Sequence, residues 1–96
     1  MANNLDAEKR VTVRYDGRVQ GIGFRFTAMQ IAEGFPVTGY VQNMPDGSVK
    51  MVAEGTEKDL LQIIRRIKES HLGRYITGER FAWSDAMQEF SSFTVR

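Results

Sequence analysis

Cysteine is absent from the 96 residues, histidine occurs once, at His71, and proline only twice. Without cysteine the chain has no disulfides and no thiolate metal ligands, which suits a reducing compartment and points to a cytoplasmic protein. One histidine and no clustered carboxylates leave almost nothing from which to build a metal site, so no metal is expected. Long apolar runs are missing as well: none exceeds three residues, at 51–53 and 81–83. A spanning helix needs roughly twenty apolar residues and a secretory signal a core of roughly seven or more, so membrane insertion and classical export are both disfavoured. An excess of one charge is also lacking. Thirteen basic and twelve acidic residues give a net charge of +1, and neither half of the chain is a basic arm. Bulk attraction to nucleic acid is therefore not expected.

What is present is an ordinary globular composition, 42% hydrophobic and 26% charged, too apolar for a disordered segment. Met1 to Glu8 shows no period, so residues 1–9 are expected to form a flexible end and residues 10–96 one domain. Val11, Val13 and Tyr15 alternate with polar residues, the pattern of a half-buried strand. Phe24, Ala28, Ile31 and Ala32 share one helix face, and Gly34 and Pro36 stop that helix. Val37, Gly39 and Val41 open a second strand that ends near Asn43. Pro45-Asp46-Gly47-Ser48 then turns the chain into a third strand, Val49 to Glu54. Thr56 and Asp59 form a capping box for a second helix carried by Leu60, Ile63, Ile64 and Ile67. Tyr75 to Ser84 predicts a fourth strand and Phe90 to Val95 a fifth. The order strand, helix, strand, strand, helix, strand predicts a two-layer α/β sandwich of the ferredoxin-like βαββαβ type, an antiparallel sheet with both helices on one face.

Two segments carry chemistry. Gly17 to Arg25 is a glycine-rich link between a strand and a helix, which can turn backbone N–H groups inward and adds the positive end of the helix. Arg25 supplies a planar fork suited to two phosphate oxygens. Residue types alone leave two readings open, an anion cradle or a glycine turn beside a surface arginine. A dinucleotide fingerprint is excluded because Phe26 stands where a glycine is needed, and a Walker-type loop because no lysine lies between Lys9 and Lys50. Gly21-Ile22-Gly23-Phe24 echoes an RNA-recognition motif, but it precedes a helix rather than lying on a central strand. In the second segment, Gly39 to Gly55, Asn43 by itself reads as a turn asparagine. His71 is expected at a helix end or on the surface. Tyr75, Phe81 and Trp83 are expected in the core rather than on a base-stacking platform.

Together the segments resemble the two signatures of the acylphosphatase family. Gly17 to Arg25 matches Gly-x-Val-Gln-Gly-Val-x-Phe-Arg with Ile22 in place of valine. Gly39 to Gly55 matches Gly-aromatic-Val-x-Asn-x-x-x-Gly-x-Val-x5-Gly throughout. Phe35, Pro36 and Val37 replace the family's usual Leu-Gly-Leu, and Gln42 replaces a common basic residue. The resemblance implies hydrolysis of an acyl phosphate to a carboxylate and inorganic phosphate, by a monomer without metal or cofactor. It implies that the backbone of Val19, Gln20, Gly21, Ile22, Gly23, Phe24 and Arg25 cradles the phosphoryl group. Arg25 would bind its oxygens and Asn43 would orient the attacking water. The partners implied are the acyl phosphate and phosphate, not nucleic acid or a membrane. The alternative is a non-catalytic anion-binding module of the same fold, such as the domain that opens a larger hydrogenase-maturation protein. The absence of a further domain in 96 residues speaks against it.

Overall fold

The alternation of Val11, Val13 and Tyr15 builds strand β1, Glu8–Gly17, and all three side chains are fully buried. The computed structural model describes residues 6–96. Of the expected flexible end, residues 1–5 lie outside the described residues, whereas Glu8 and Lys9 already belong to β1 and pair with Thr56 and Gly55. Helix α1, Phe24–Ala32, buries Phe24, Ala28 and Ala32. Strands β2, Thr38–Asn43, and β3, Val49–Thr56, form the expected hairpin. Its turn is closed by Met44 N–H on the Ser48 carbonyl at 2.8 Å, and Asp46 Oδ1 accepts the Ser48 N–H at 2.9 Å. Helix α2, Glu57–Glu69, is capped as its sequence predicts, with Thr56 Oγ1 accepting the Asp59 N–H at 3.2 Å. A 3-10 turn, His71–Tyr75, leads into β4, Ile76–Asp85, and β5 is the short Phe93–Val95.

The sheet order is β4-β1-β3-β2-β5. Both helices pack on one face, where Leu60, Ile63 and Ile67 of α2 and the buried face of α1 meet Val11, Val13, Tyr15, Val41, Val49 and Met51 in one core. The expectation of a fully antiparallel sheet needs one correction: β5 runs parallel to β2, so the sheet is mixed. The reason is topological. β4 runs opposite to β2, and the chain reverses after β4, so the next strand runs with β2. Phe81 and Trp83 are also not core residues, being 47% and 39% exposed. By register they share the face of Val13 and Val11, but β4 is an edge strand beyond the cover of the helices. Tyr75 is half-buried in the 3-10 turn and His71 is exposed. Among the described residues no helix is long and apolar enough to cross a membrane.

Candidate active site

The link from β1 to α1 is held at three points. Val19 is fully buried and anchors the loop in the core. Arg18 N–H donates to the Tyr75 carbonyl at 3.1 Å. The Gln20 side-chain amide donates to the Met44 and Ser48 carbonyls at 2.8 and 2.9 Å, tying the loop to the β2–β3 turn. Gly21 and Gly23 take φ of 80° and 79°, with open space where a Cβ would lie, so the backbone conformation rather than crowding requires glycine.

Gly23 also begins α1 and offers no side-chain cap, and the first turn of α1 holds no acidic residue. Helix α2 differs, with Thr56 as its cap and Glu57 and Asp59 in its first turn. The first α1 bond runs from Thr27 N–H to the Gly23 carbonyl at 3.0 Å. Among the described residues, no backbone N–H from Val19 to Phe26 is donated to a protein acceptor. Undonated N–H groups beside the positive end of a helix are the features that favour an anion.

Arg25 and Asn43 reach this loop from two directions. Arg25 is half-buried in the first turn of α1, and its Nη1 donates to the main-chain oxygen of Arg96 at 2.8 Å. The remaining N–H groups of the fork have no acceptor among the described residues. Asn43 closes β2 opposite Val49, whose side chain is in the core, so Asn43 lies on the helix-covered face, at the end nearest the loop. Val19, Gly21, Gly23, Phe24, Arg25, Phe26 and Asn43 line one recess of about 80 Å³. A water needs roughly 10–15 Å³ of such space, so the recess has room for one small polyatomic group. Larger hollows lie elsewhere, among them one along α2 and one on the other face of the sheet lined by Arg10, Tyr40, Glu89, Phe90 and Arg96. Of the residues marked out by sequence, Gln20 and Ile22 do not line the recess. The Gln20 side chain braces the hairpin turn and Ile22 packs against the core. Phe26, 63% exposed at the rim, escapes sequence reasoning, and its only signal is a place off the apolar face of α1.

The recess contains no carboxylate. The nearby Asp46 carboxyl is held below the usual carboxylate range by the Ser48 hydroxyl and N–H and then by Arg14, with burial opposing only in part. Those same contacts occupy its oxygens. Tyr15, packed on Phe24 with ring centroids 5.0 Å apart, has its hydroxyl pKa raised by burial and then by the Glu79 charge, so it stays protonated. Neither group is placed as a general base, and the recess offers donors, a cation and a neutral amide. Among the described residues, no group of three or more His, Cys, Asp or Glu side chains could hold a metal ion.

A family model described as Acylphosphatase matches residues 11–95. The chain is 42% identical over 89 residues to an acylphosphatase of Salinibacter ruber, a match that covers 93% of this chain and 94% of the relative. The crystal structure of an acylphosphatase from Bacillus subtilis superposes with a TM-score of 0.84 at 28% identity, covering 92% of this chain and 98% of that one. Full-length HypF, crystallised in a phosphate- and nucleotide-bound form, matches with a TM-score of 0.85 at 26% identity. That match covers 99% of this chain and 12% of HypF.

Proposed function

This chain belongs to the acylphosphatase family, and from that membership and the recess at the start of α1 we propose that it hydrolyses small acyl phosphates to a carboxylate and inorganic phosphate. The observation that carries the proposal is the meeting of Arg25, Asn43 and the loop residues Val19, Gly21, Gly23, Phe24 and Phe26, whose N–H groups are not donated within the described residues, around one recess without a carboxylate. The phosphoryl group sits on the backbone of Val19, Gln20, Gly21, Ile22, Gly23, Phe24 and Arg25, where N–H donors and the helix end favour negative charge. Arg25 adds two parallel charge-assisted hydrogen bonds to its oxygens. The Asn43 side-chain amide orients a water in line with the bond to be broken. The water oxygen bonds to phosphorus, the bond from phosphorus to the bridging oxygen breaks, and the carboxylate leaves with that electron pair. The water's proton passes to a phosphoryl oxygen, so no protein base is needed. Phosphoryl transfer depends mainly on positioning and charge stabilisation, which is what these residues supply.

The relatives support an enzyme rather than a binding module, because the Salinibacter and Bacillus matches span nearly the whole of each relative, against 12% of HypF. The proposal extends to residues 10–96 as the catalytic domain, acting as a cytoplasmic monomer without nucleic-acid or membrane partners. The test is turnover of acetyl phosphate by the purified protein with and without excess chelator. Turnover unchanged by chelator is expected, with inorganic phosphate as a competitive inhibitor. Phosphate binding without turnover would favour the module, and activity lost to chelator and restored by a divalent ion would overturn the metal-free mechanism.

A further inference from the structure

The face of the sheet opposite the helices holds a buried carboxylate. Glu54, on β3, is 4% exposed, yet its two oxygens take three donors. Oε2 accepts from Arg10 Nε at 2.7 Å and from the Met87 N–H at 2.8 Å, and Oε1 accepts from the Gln88 N–H at 2.8 Å. Burial raises the pKa of this carboxyl, but the Met87 amide, Arg10 and the Gln88 amide outweigh it and hold the group below its usual value. Two of the donors are consecutive main-chain amides of residues 86–92, an irregular segment that crosses the sheet from β4 at one edge to β5 at the other. Gln88 has φ of 55°, a left-handed conformation that a residue with a side chain keeps only when it is held. Arg10 also pairs with Glu89 and lies over the Phe90 ring at 5.0 Å, and Phe90 meets Tyr40 of β2 edge-on.

This crossing segment delivers β5. Three residues pair β5 with β2, too few to fix a register unaided, and the Gly39 N–H donates to the Ser92 carbonyl just before them. Directly after β5, Arg96 N–H donates to the Val41 carbonyl at 2.9 Å, and the main-chain oxygen of Arg96 accepts from Arg25. A continuous path of named contacts therefore joins Glu54 to the recess on the opposite face.

We propose that Glu54 is a positioning residue for the reaction: by gripping the Met87 and Gln88 amides it sets the register of β5, and with it the Arg96 oxygen against which the Arg25 fork is aligned. The inference rests on the reading of Arg25 as the phosphate-binding residue. Glu54→Gln keeps the shape of the side chain but turns an –NH2 toward donors that need an acceptor. Well below its melting temperature, the variant is expected to lose about tenfold in kcat/KM for acetyl phosphate and to bind inorganic phosphate several-fold more weakly. A purely structural role would lower the melting temperature and leave both constants unchanged per folded molecule. In an Arg25→Lys background the Glu54→Gln loss should largely disappear, because the two residues act through one contact. Unchanged constants for Glu54→Gln, or a loss that adds in full to that of Arg25→Lys, overturns the inference. If Arg25→Lys alone leaves turnover and phosphate affinity intact, the reading of the site fails instead. Should Glu54→Gln not fold, the parent protein carries the same test by reciprocity. Saturating phosphate should slow hydrogen exchange at the Met87 and Gln88 amides, and exchange unaltered by phosphate contradicts the coupling.

Discussion

Arg25→Ala is expected to abolish most hydrolysis of acetyl phosphate, and with it most of the thermal stabilisation conferred by inorganic phosphate, without unfolding the protein. Arg25 is half-buried and lies off the packed face of α1, which consists of Phe24, Ala28 and Ala32. Its side chain donates to the Arg96 main-chain oxygen, outside the core, so removal leaves the core packing in place. Phosphate that binds only the folded state stabilises it by RT ln(1 + [L]/Kd), about 2.7 kcal/mol at a hundredfold excess over Kd. For a domain of this size that raises the melting temperature by roughly ten degrees or more. Arg25→Lys keeps the charge but loses the planar fork, and should retain only a small part of the shift. Melts of the three proteins with and without phosphate, at matched ionic strength, separate site binding from general salt effects. An Arg25→Ala variant that phosphate stabilises as much as the parent and that still turns over substrate removes Arg25 from the site.

Asn43→Ala should leave phosphate binding nearly as it is and lower kcat by roughly 10²-fold or more, the usual loss for one preorganised polar contact. The separation follows from position. In the proposed reaction the loop N–H groups and Arg25 hold the anion, whereas Asn43, which lines the recess from the end of β2, orients the water. Its main chain keeps its pairing with Val49 in the variant, so the strand should hold. The checks are kcat and the inhibition constant of phosphate. Near-normal kcat, or a loss of phosphate affinity as large as the loss of turnover, removes the water-positioning role.

Much of this arrangement is legible from residue order because local physics writes it there. The Val11-Val13-Tyr15 alternation, the apolar face of α1, the turn before Ser48 and the Thr56 cap are all set by near neighbours, and all are present in the fold. Gly17 to Arg25 likewise marks the loop, since left-handed φ at Gly21 and Gly23 is a backbone demand that glycine meets locally. What order along the chain does not reveal is set by distant partners. Phe81 and Trp83 alternate as core residues do, but exposure depends on which strand lies at the edge. The parallel pairing of β5 depends on the crossing of the sheet after β4. Glu54 reads as one more outward polar residue of β3, while the amides it holds lie 33 and 34 residues further on. Gln20 falls inside the predicted cradle, yet its side chain turns away to the hairpin.

The most direct measurement of the central claim is hydrolysis of acetyl phosphate by the purified protein in ¹⁸O-labelled water, with both products analysed by mass. Seating of the phosphoryl group in the Val19 to Arg25 loop, with water delivered by Asn43, predicts turnover well above that in buffer alone, one ¹⁸O in each phosphate released and none in the acetate. No turnover, or label carried by the acetate, contradicts it.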